Sequence, residues 1–301
     1  MKPRHAPAPV KKKDSGQASR LWEMEEISRQ VHRLSFRDCR SGSQFWVLLM
    51  SDEHQDNAEC DRALLLRHHQ EAQEKQAPIF KFGDTFCAMQ GKWDKRSDQN
   101  QLRPEHRGNN YLDRLVNTAA ELYAPYADNI ALVTPGNHET SICGRHQTNL
   151  CERLIVKLRE KSSVPHLGGY WGFVKFKFEF KSTHETLNLF YHHGYGGGGE
   201  VTRGLIDNNR TRGQYNADIY YSGHIHRRNS DENIMTEVNG QGKIIQRPQL
   251  FLRGGTYKNE TSGWHAEGGR AGRPLGGYWL KFTVRSTFTE KIVDVQEIRA
   301  T

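Results

Sequence analysis

The chain has 301 residues, with 43 Lys+Arg against 35 Asp+Glu and a formal net charge of +8. A single domain of this length buries roughly three quarters of its extended surface, which excludes a miniature scaffold held by disulfides or one structural metal. Six Trp, eleven Tyr and thirteen Phe exclude global disorder, although mean hydropathy is only −0.82.

Residues 1–20 are rich in Pro, Lys, Ala and Ser. They hold Lys2, Arg4, Lys11, Lys12, Lys13 and Arg20 against Asp14 alone, so this stretch carries +5 and reads as a disordered basic arm. The other 281 residues carry only +3, so the excess that suggests nucleic acid belongs mostly to the arm. Lys11–Lys13 also admit a nuclear-localisation reading. No apolar segment follows the basic stretch, so no secretory signal is expected, and no run of about 18 apolar residues predicts a membrane span. Cys39, Cys60, Cys87, Cys143 and Cys151 are odd in number and lack zinc-knuckle spacing. A reducing compartment follows, with the cytoplasm (a host's, for a viral protein) as the expected location.

Beyond the arm, residues 21–301 read as one catalytic domain. Glu23 to Arg33 looks helical. Ser43–Met50 is an apolar run ending in the polar stretch SDEHQDNAECD, a buried strand followed by a loop. A helix over about Asp61–Lys75 follows, then a short strand ending in Gly83-Asp84. Residues 90–109 are polar and aperiodic and are expected to be a surface insertion. Tyr111 to Ala124 carries apolar residues at helical spacing, and a third strand ends in Pro135-Gly136-Asn137-His138-Glu139. Leu150, Leu154, Ile155 and Leu158 mark another helix. Tyr170–Phe180 alternates with period two, as a half-buried strand does. Two more strands end in His192-His193-Gly194 and Gly223-His224-Ile225-His226, and residues 245–301 are β-rich, ending in a hairpin.

Five strands therefore end in clusters of Asp, Asn and His: Asp52 and His54, Asp84, Asn137 and His138, His192 and His193, His224 and His226. Any one of them reads equally well as a turn residue or a helix cap. Together they supply what a two-metal phosphohydrolase needs, because a carboxylate can bridge two ions roughly 3.5–4 Å apart. Mixed oxygen and imidazole donors suit Mn, Fe or Zn better than Mg or Ca. Asp52 and His54, like His224 and His226, are two apart, and on extended backbone such pairs point the same way.

The ordered set resembles the calcineurin-like metallophosphoesterases, whose pattern is D-x-H, GD, GNH[D/E], a later His before Gly, and GHxH. Here it reads Asp52-Glu53-His54, Gly83-Asp84, Gly136-Asn137-His138-Glu139, His193-Gly194 and Gly223-His224-Ile225-His226, across about residues 45–228. The resemblance implies an α/β fold of two packed mixed sheets flanked by helices. It also implies two divalent ions, Mn above all, with Fe or Zn as alternatives. Asp52, His54, Asp84 and His226 would hold one ion; Asp84, Asn137, His193 and His224 the other. Metal-bound hydroxide would attack phosphorus in line, with His138 as general acid to the leaving oxygen.

Of the adjacent histidines, His193 fits the pattern, and His192 is expected to point away and pack behind it. Glu139 either orients His138 or starts a helix. Where the family often has G-D-x-x-D, this chain has Cys87, expected to be a buried small hydrophobe. Arg203, Arg210 and Arg212 are candidates for binding substrate phosphate. The glycines of 194–204 are expected either to bring backbone close to a phosphate or to form a flexible lid, and the stretch 254–277, with Trp264, His265, Arg270 and Arg273, to border the cleft or a contact between copies.

The expected substrate is a phosphodiester, DNA or another nucleotide, as in the nuclease-like viral or bacterial members. A phosphomonoesterase is the alternative, but the protein Ser/Thr phosphatase branch carries Arg where this chain has Pro135. A non-catalytic interaction protein on the same fold would have lost ligands, and none is missing here. No membrane partner is expected, and the sequence leaves the oligomeric state open.

Overall fold

A computed structural model of the chain describes residues 20–90, 94, 97–196, 204–261, 267–269, 271–287 and 290–301. The arm before Arg20, Arg203, Trp264, His265 and Arg270 lie outside the described residues.

The chain opens with a hairpin, β1 (Trp22–Ser28) and β2 (Val31–Phe36), in the segment whose sequence looks helical. Trp22 and Met24 turn inward while Glu23 and Glu25 face solvent, so period two prevails. Next come β3 (Gln44–Met50), α1 (Arg62–Glu74) and β4 (Ile79–Phe82). Asp61 starts α1 by accepting a hydrogen bond from Leu64 N at 2.9 Å. The buried face of α1 carries Leu64, Leu65, His68, His69 and Ala72.

The described part of 90–109 is mostly exposed but anchored to the body at a few points. Leu102 and His106 are buried, and the Arg103 guanidinium donates to the carbonyls of Asn57 and Cys60, both at 2.8 Å. A few anchors tie an otherwise polar stretch to the loop after β3.

Then follow α2 (Tyr111–Tyr123), β5 (Ile130–Thr134), α3 (Asn137–His146), α4 (Leu150–Arg159), the short β6 (His166–Leu167), β7 (Trp171–Glu179) and β8 (His184–His192). The chain continues through α5 (Leu205–Gln214), β9 (Ile219–Ser222), β10 (Asn229–Val238), β11 (Ile244–Arg253), β12 (Tyr278–Ser286) and β13 (Lys291–Arg299).

One sheet has the order β1-β2-β7-β8-β9-β11-β10, the other β13-β12-β3-β4-β5-β6. Both are mixed. β3, β4, β5 and β6 run parallel in one, and β8, β9 and β11 run parallel in the other. Apolar side chains from both inner faces interdigitate, among them Phe36, Val47, Phe80, Phe82, Phe176 and Phe282. The outer face of the six-stranded sheet is covered by α1, α2 and α4 through Leu65, Leu115, Val116, Leu154 and Ile155. This is the expected architecture of two mixed sheets flanked by helices. Its layers are unequal, because the outer face of the seven-stranded sheet carries only a small cluster of Phe190, Ala217, Tyr220 and Phe251. The carboxyl ends of β3, β4 and β5 meet those of β8 and β9, the crevice where parallel sheets place ligands.

Candidate metal centre

Three of the five strand ends, those after β3, β4 and β9, turn sharply instead of continuing extended. Asp52, His54, Asp84, His224 and His226 have φ of 54°, 46°, 52°, 74° and 54°. The expectation that D-x-H and H-x-H pairs converge because they share one side of an extended strand is therefore corrected. Left-handed backbone at these five ligands turns the side chain inward, a conformation Asp and His adopt more readily than most residues. In keeping with that geometry, His224 and His226 serve different clusters.

Asp52, His54 and His226 form one group, and Asp84, His193 and His224 another. In the first, His226 Nε2 lies 3.3 Å from His54 Nε2 and 3.4 Å from Asp52 Oδ1. In the second, His193 Nε2 lies 3.1 Å from Asp84 Oδ2. Asn137 Oδ1 sits between His193 Nε2 at 3.1 Å and His224 Nδ1 at 2.8 Å. All seven residues expected to hold metal are thus gathered at one place. Asp52, His54, Asp84 and His193 are almost wholly buried.

The hydrogen bonds behind these ligands fix which nitrogen faces inward. His193 Nδ1 donates to the Phe82 carbonyl at 2.9 Å, and His226 Nδ1 donates to Glu260 Oε1 at 2.8 Å, leaving both Nε2 atoms for the centre. Asp52 accepts His224 N with both carboxylate oxygens at 3.0 Å. Glycines let the backbone approach this closely: a Cβ on Gly136 would overlap Asp84 Oδ1, and one on Gly83 would overlap the His193 ring.

The electrostatics fit a cationic centre. Burial alone raises the Asp84 carboxyl, but His193 and His138 outweigh it and hold the group well below the usual carboxylate range. Burial alone lowers both imidazoles, yet Asp84 brings His193 up to about 9, and Asp52 with Glu260 brings His226 up to about 10. With protons as the only cations, the buried carboxylates keep protons on the nitrogens that would otherwise hold metal. Oxygen and imidazole donors in this proportion fit Mn, Fe or Zn.

His138 stands beside these groups. Its Nδ1 donates to the Cys87 carbonyl at 2.5 Å, and its Nε2 faces Asp84 Oδ2 at 3.7 Å. Glu139 both begins a helix, as the third residue of α3, and orders the ligand loops. Its carboxylate accepts Gly136 N at 2.8 Å, Phe86 N at 2.9 Å and Asp84 N at 3.1 Å. Burial and the nearby Asp84 charge push its carboxyl up to about 8 in spite of those donors. His192 points away from both groups, accepts Gly194 N at 2.9 Å and packs edge-on against Tyr170.

Cys87 is buried, with its Sγ accepting Asn57 Nδ2 at 3.2 Å and burial pushing the thiol up to about 12. It lies near His54 and His138, but a thiol held protonated is a poor metal ligand. The carboxylate missing after Asp84 is supplied from another loop: Asp56 accepts Cys87 N at 2.5 Å and Ala88 N at 2.9 Å.

Of the arginine candidates, Arg203 lies outside the described residues and Arg210 lines a cavity beside α5. Arg210 and Arg212 lie on α5, and the exposed Arg210 pairs with Asp207 at 3.9 Å. The sequence reading missed Glu260, Asp56 and Arg253. Glu260 follows His226 by 34 residues in a glycine-rich stretch, with no local pattern to mark it. Arg253 ends β11 and is only 4% exposed. Its place at a strand end was the one available signal.

No protein-family model and no curated protein matches the sequence. Among solved structures, GAP50, the anchor in the inner membrane complex of Plasmodium, is 12% identical over 85% of this chain and 89% of its own, with a TM-score of 0.44. A metallophosphoesterase from Sphaerobacter thermophilus is 11% identical over 84% and 88%, with a TM-score of 0.34. Vacuolar protein sorting 29 from Cryptosporidium parvum is 12% identical over 85% and 98%, also with a TM-score of 0.34.

Proposed function

We propose that the chain is a calcineurin-like metallophosphoesterase that hydrolyses phosphodiesters with two divalent ions. The observation that carries this reading is the pair of groups, Asp52/His54/His226 and Asp84/His193/His224, the second completed by Asn137, with His138 alongside. Asp52, His54, Asp84 and His226 would hold one ion, and Asp84, Asn137, His193 and His224 the other. When bound, the ions supply Lewis acidity toward phosphoryl oxygens and lower the pKa of water.

The protein's own residues do the rest. The Cys87 carbonyl keeps a proton on His138 Nδ1, so the ring gives up its second proton from Nε2. That proton passes to the leaving oxygen as its bond to phosphorus breaks. Glu139 and Asp56 hold the loop after β4 by its amides, which keeps Asp84 and His138 in register.

Pro135 in place of the arginine of protein phosphatases favours diesters over phosphoprotein. The test is hydrolysis of bis-p-nitrophenyl phosphate beside p-nitrophenyl phosphate in Mn²⁺, with and without chelator. Diester turnover should be metal-dependent and fall by about 10²-fold or more in Asp84→Asn and in His138→Ala. Full metal-dependent activity in both variants would refute the assignment. Cleavage of single- or double-stranded DNA, weakening as salt rises, would identify a nuclease.

A further inference from the structure

A cavity of about 520 Å³ lies between α5 and the outer face of the seven-stranded sheet, a volume that suits a nucleotide-sized ligand. Its floor is aromatic, with half-buried Tyr215 facing the space and Phe190, Tyr220 and Phe251 buried behind it. Phe190 stacks on Tyr215 at 4.1 Å between centroids, and Tyr220 stacks on Phe251 at 4.4 Å. Its roof is α5, no residue of which is buried. Ile206 of that helix lines the cavity yet is 47% exposed, so the roof spans the floor without filling the space. Asn208 and Gln214 add amide donors and acceptors from the same helix.

One end of the cavity abuts the candidate metal centre, because Gly194 and Gly223, next in sequence to His193 and His224, form part of its wall. Arg253 sits there as well. Its Nη2 donates to the Gly204 carbonyl at 3.1 Å, while its buried Nε has no partner among the described residues. The guanidinium is 4% exposed and pairs loosely with Asp207 at 3.8 Å, and its spare Nε donor is placed for a further anion.

We propose that this cavity is the subsite for the nucleoside part of a nucleotidyl ester. The base would lie over the aromatic floor with its edge toward Asn208 and Gln214. Arg253 would hold a phosphate oxygen at the end nearest the metal ligands. The roof admits a single nucleotide and excludes a duplex. The inference rests on the phosphodiesterase reading and narrows it to small or terminal nucleotides.

The test compares thymidine 5′-(p-nitrophenyl) phosphate with bis-p-nitrophenyl phosphate. In both, a water oxygen bonds to phosphorus and p-nitrophenolate leaves. The parent should prefer the nucleotide ester in kcat/KM by about tenfold or more, through a lower KM. Ile206→Trp, which fills the cavity from a helix with no buried residue, should reduce that preference by about tenfold. Equal kcat/KM for the two esters, or an unchanged preference in Ile206→Trp, would overturn the subsite. If neither ester is hydrolysed, the phosphodiesterase reading fails, and calorimetric binding of adenosine 5′-monophosphate to the same two proteins decides the cavity. Binding that Ile206→Trp weakens, and that ribose 5-phosphate and inorganic phosphate do not match, supports it; no binding overturns it.

Discussion

Lys81 is fully buried in β4, and its Nζ lies 2.9 and 2.8 Å from the two carboxylate oxygens of Glu53, also fully buried. Tyr123 Oη donates to the same carboxylate at 2.5 Å, and the ammonium lies 3.8 Å from the centroid of the Tyr123 ring. Burial pulls the Lys81 pKa down, and Glu53 opposes that fall. At 2.8 Å and an effective dielectric constant of about 20, the attraction is about 6 kcal/mol, much of it offset by desolvation. Lys81→Met removes the cation and strands a buried carboxylate, so it should destabilise the metal-free protein by about 3–5 kcal/mol. Adding Glu53→Gln keeps an acceptor for Tyr123 and removes the stranded charge, and should recover at least half of that loss. Glu53 also lies between Asp52 and His54, so the single variant should bind Mn²⁺ more weakly than the double. Urea unfolding in chelator and metal titration check the two effects. A Lys81→Met protein within about 1 kcal/mol of the parent would refute the claim that this pair joins the first two ligand loops.

The raised imidazoles of His193 and His226 make metal binding a proton exchange. At pH 7 close to two protons should leave as the centre fills, which calorimetry in buffers of different ionisation enthalpy reads directly. The sign for folding of the metal-free form follows the same groups. Their stabilisation is complete below the unfolded value near 6.5 and is lost as pH rises through about 9 and 10, so urea midpoints in chelator should fall across that range. Glu260→Gln removes the anionic partner of His226 and should weaken metal affinity about 10–100-fold while leaving the fold intact, as circular dichroism beside metal titration would show. Gly136→Ala drives a methyl into Asp84 and should abolish Mn²⁺ binding, whereas Gly144→Ala, in open space on α3, should raise stability by up to about 1 kcal/mol.

The strands that carry ligands were legible because each ends in a mostly apolar run that stops at a polar cluster; β4 and β5 are buried throughout. The first hairpin was not. Met24, Ile27, Val31 and Leu34 fall at helical spacing, but Ile27 is 53% exposed and Val31 only half-buried, so two of the four positions are not core. α5 left no pattern because it buries no residue, and apolar periodicity records only burial. The ligands could be named from order and spacing, but Glu260 and Asp56 could not. Their partners are loop amides and an imidazole brought close by the fold, with nothing local in the sequence to mark them.

Nine non-glycine residues among those described have positive φ, and five of them are the metal ligands Asp52, His54, Asp84, His224 and His226. Each such residue costs about 1 kcal/mol relative to glycine at the same position. Selection for heat resistance alone would therefore find gains by emptying the centre, since glycine relieves the backbone and sheds buried charge together. Thermostable variants chosen without an activity screen should accumulate changes at these five positions and lose metal as they gain melting temperature. For anyone engineering this protein, hydrolysis has to be part of the screen from the first round.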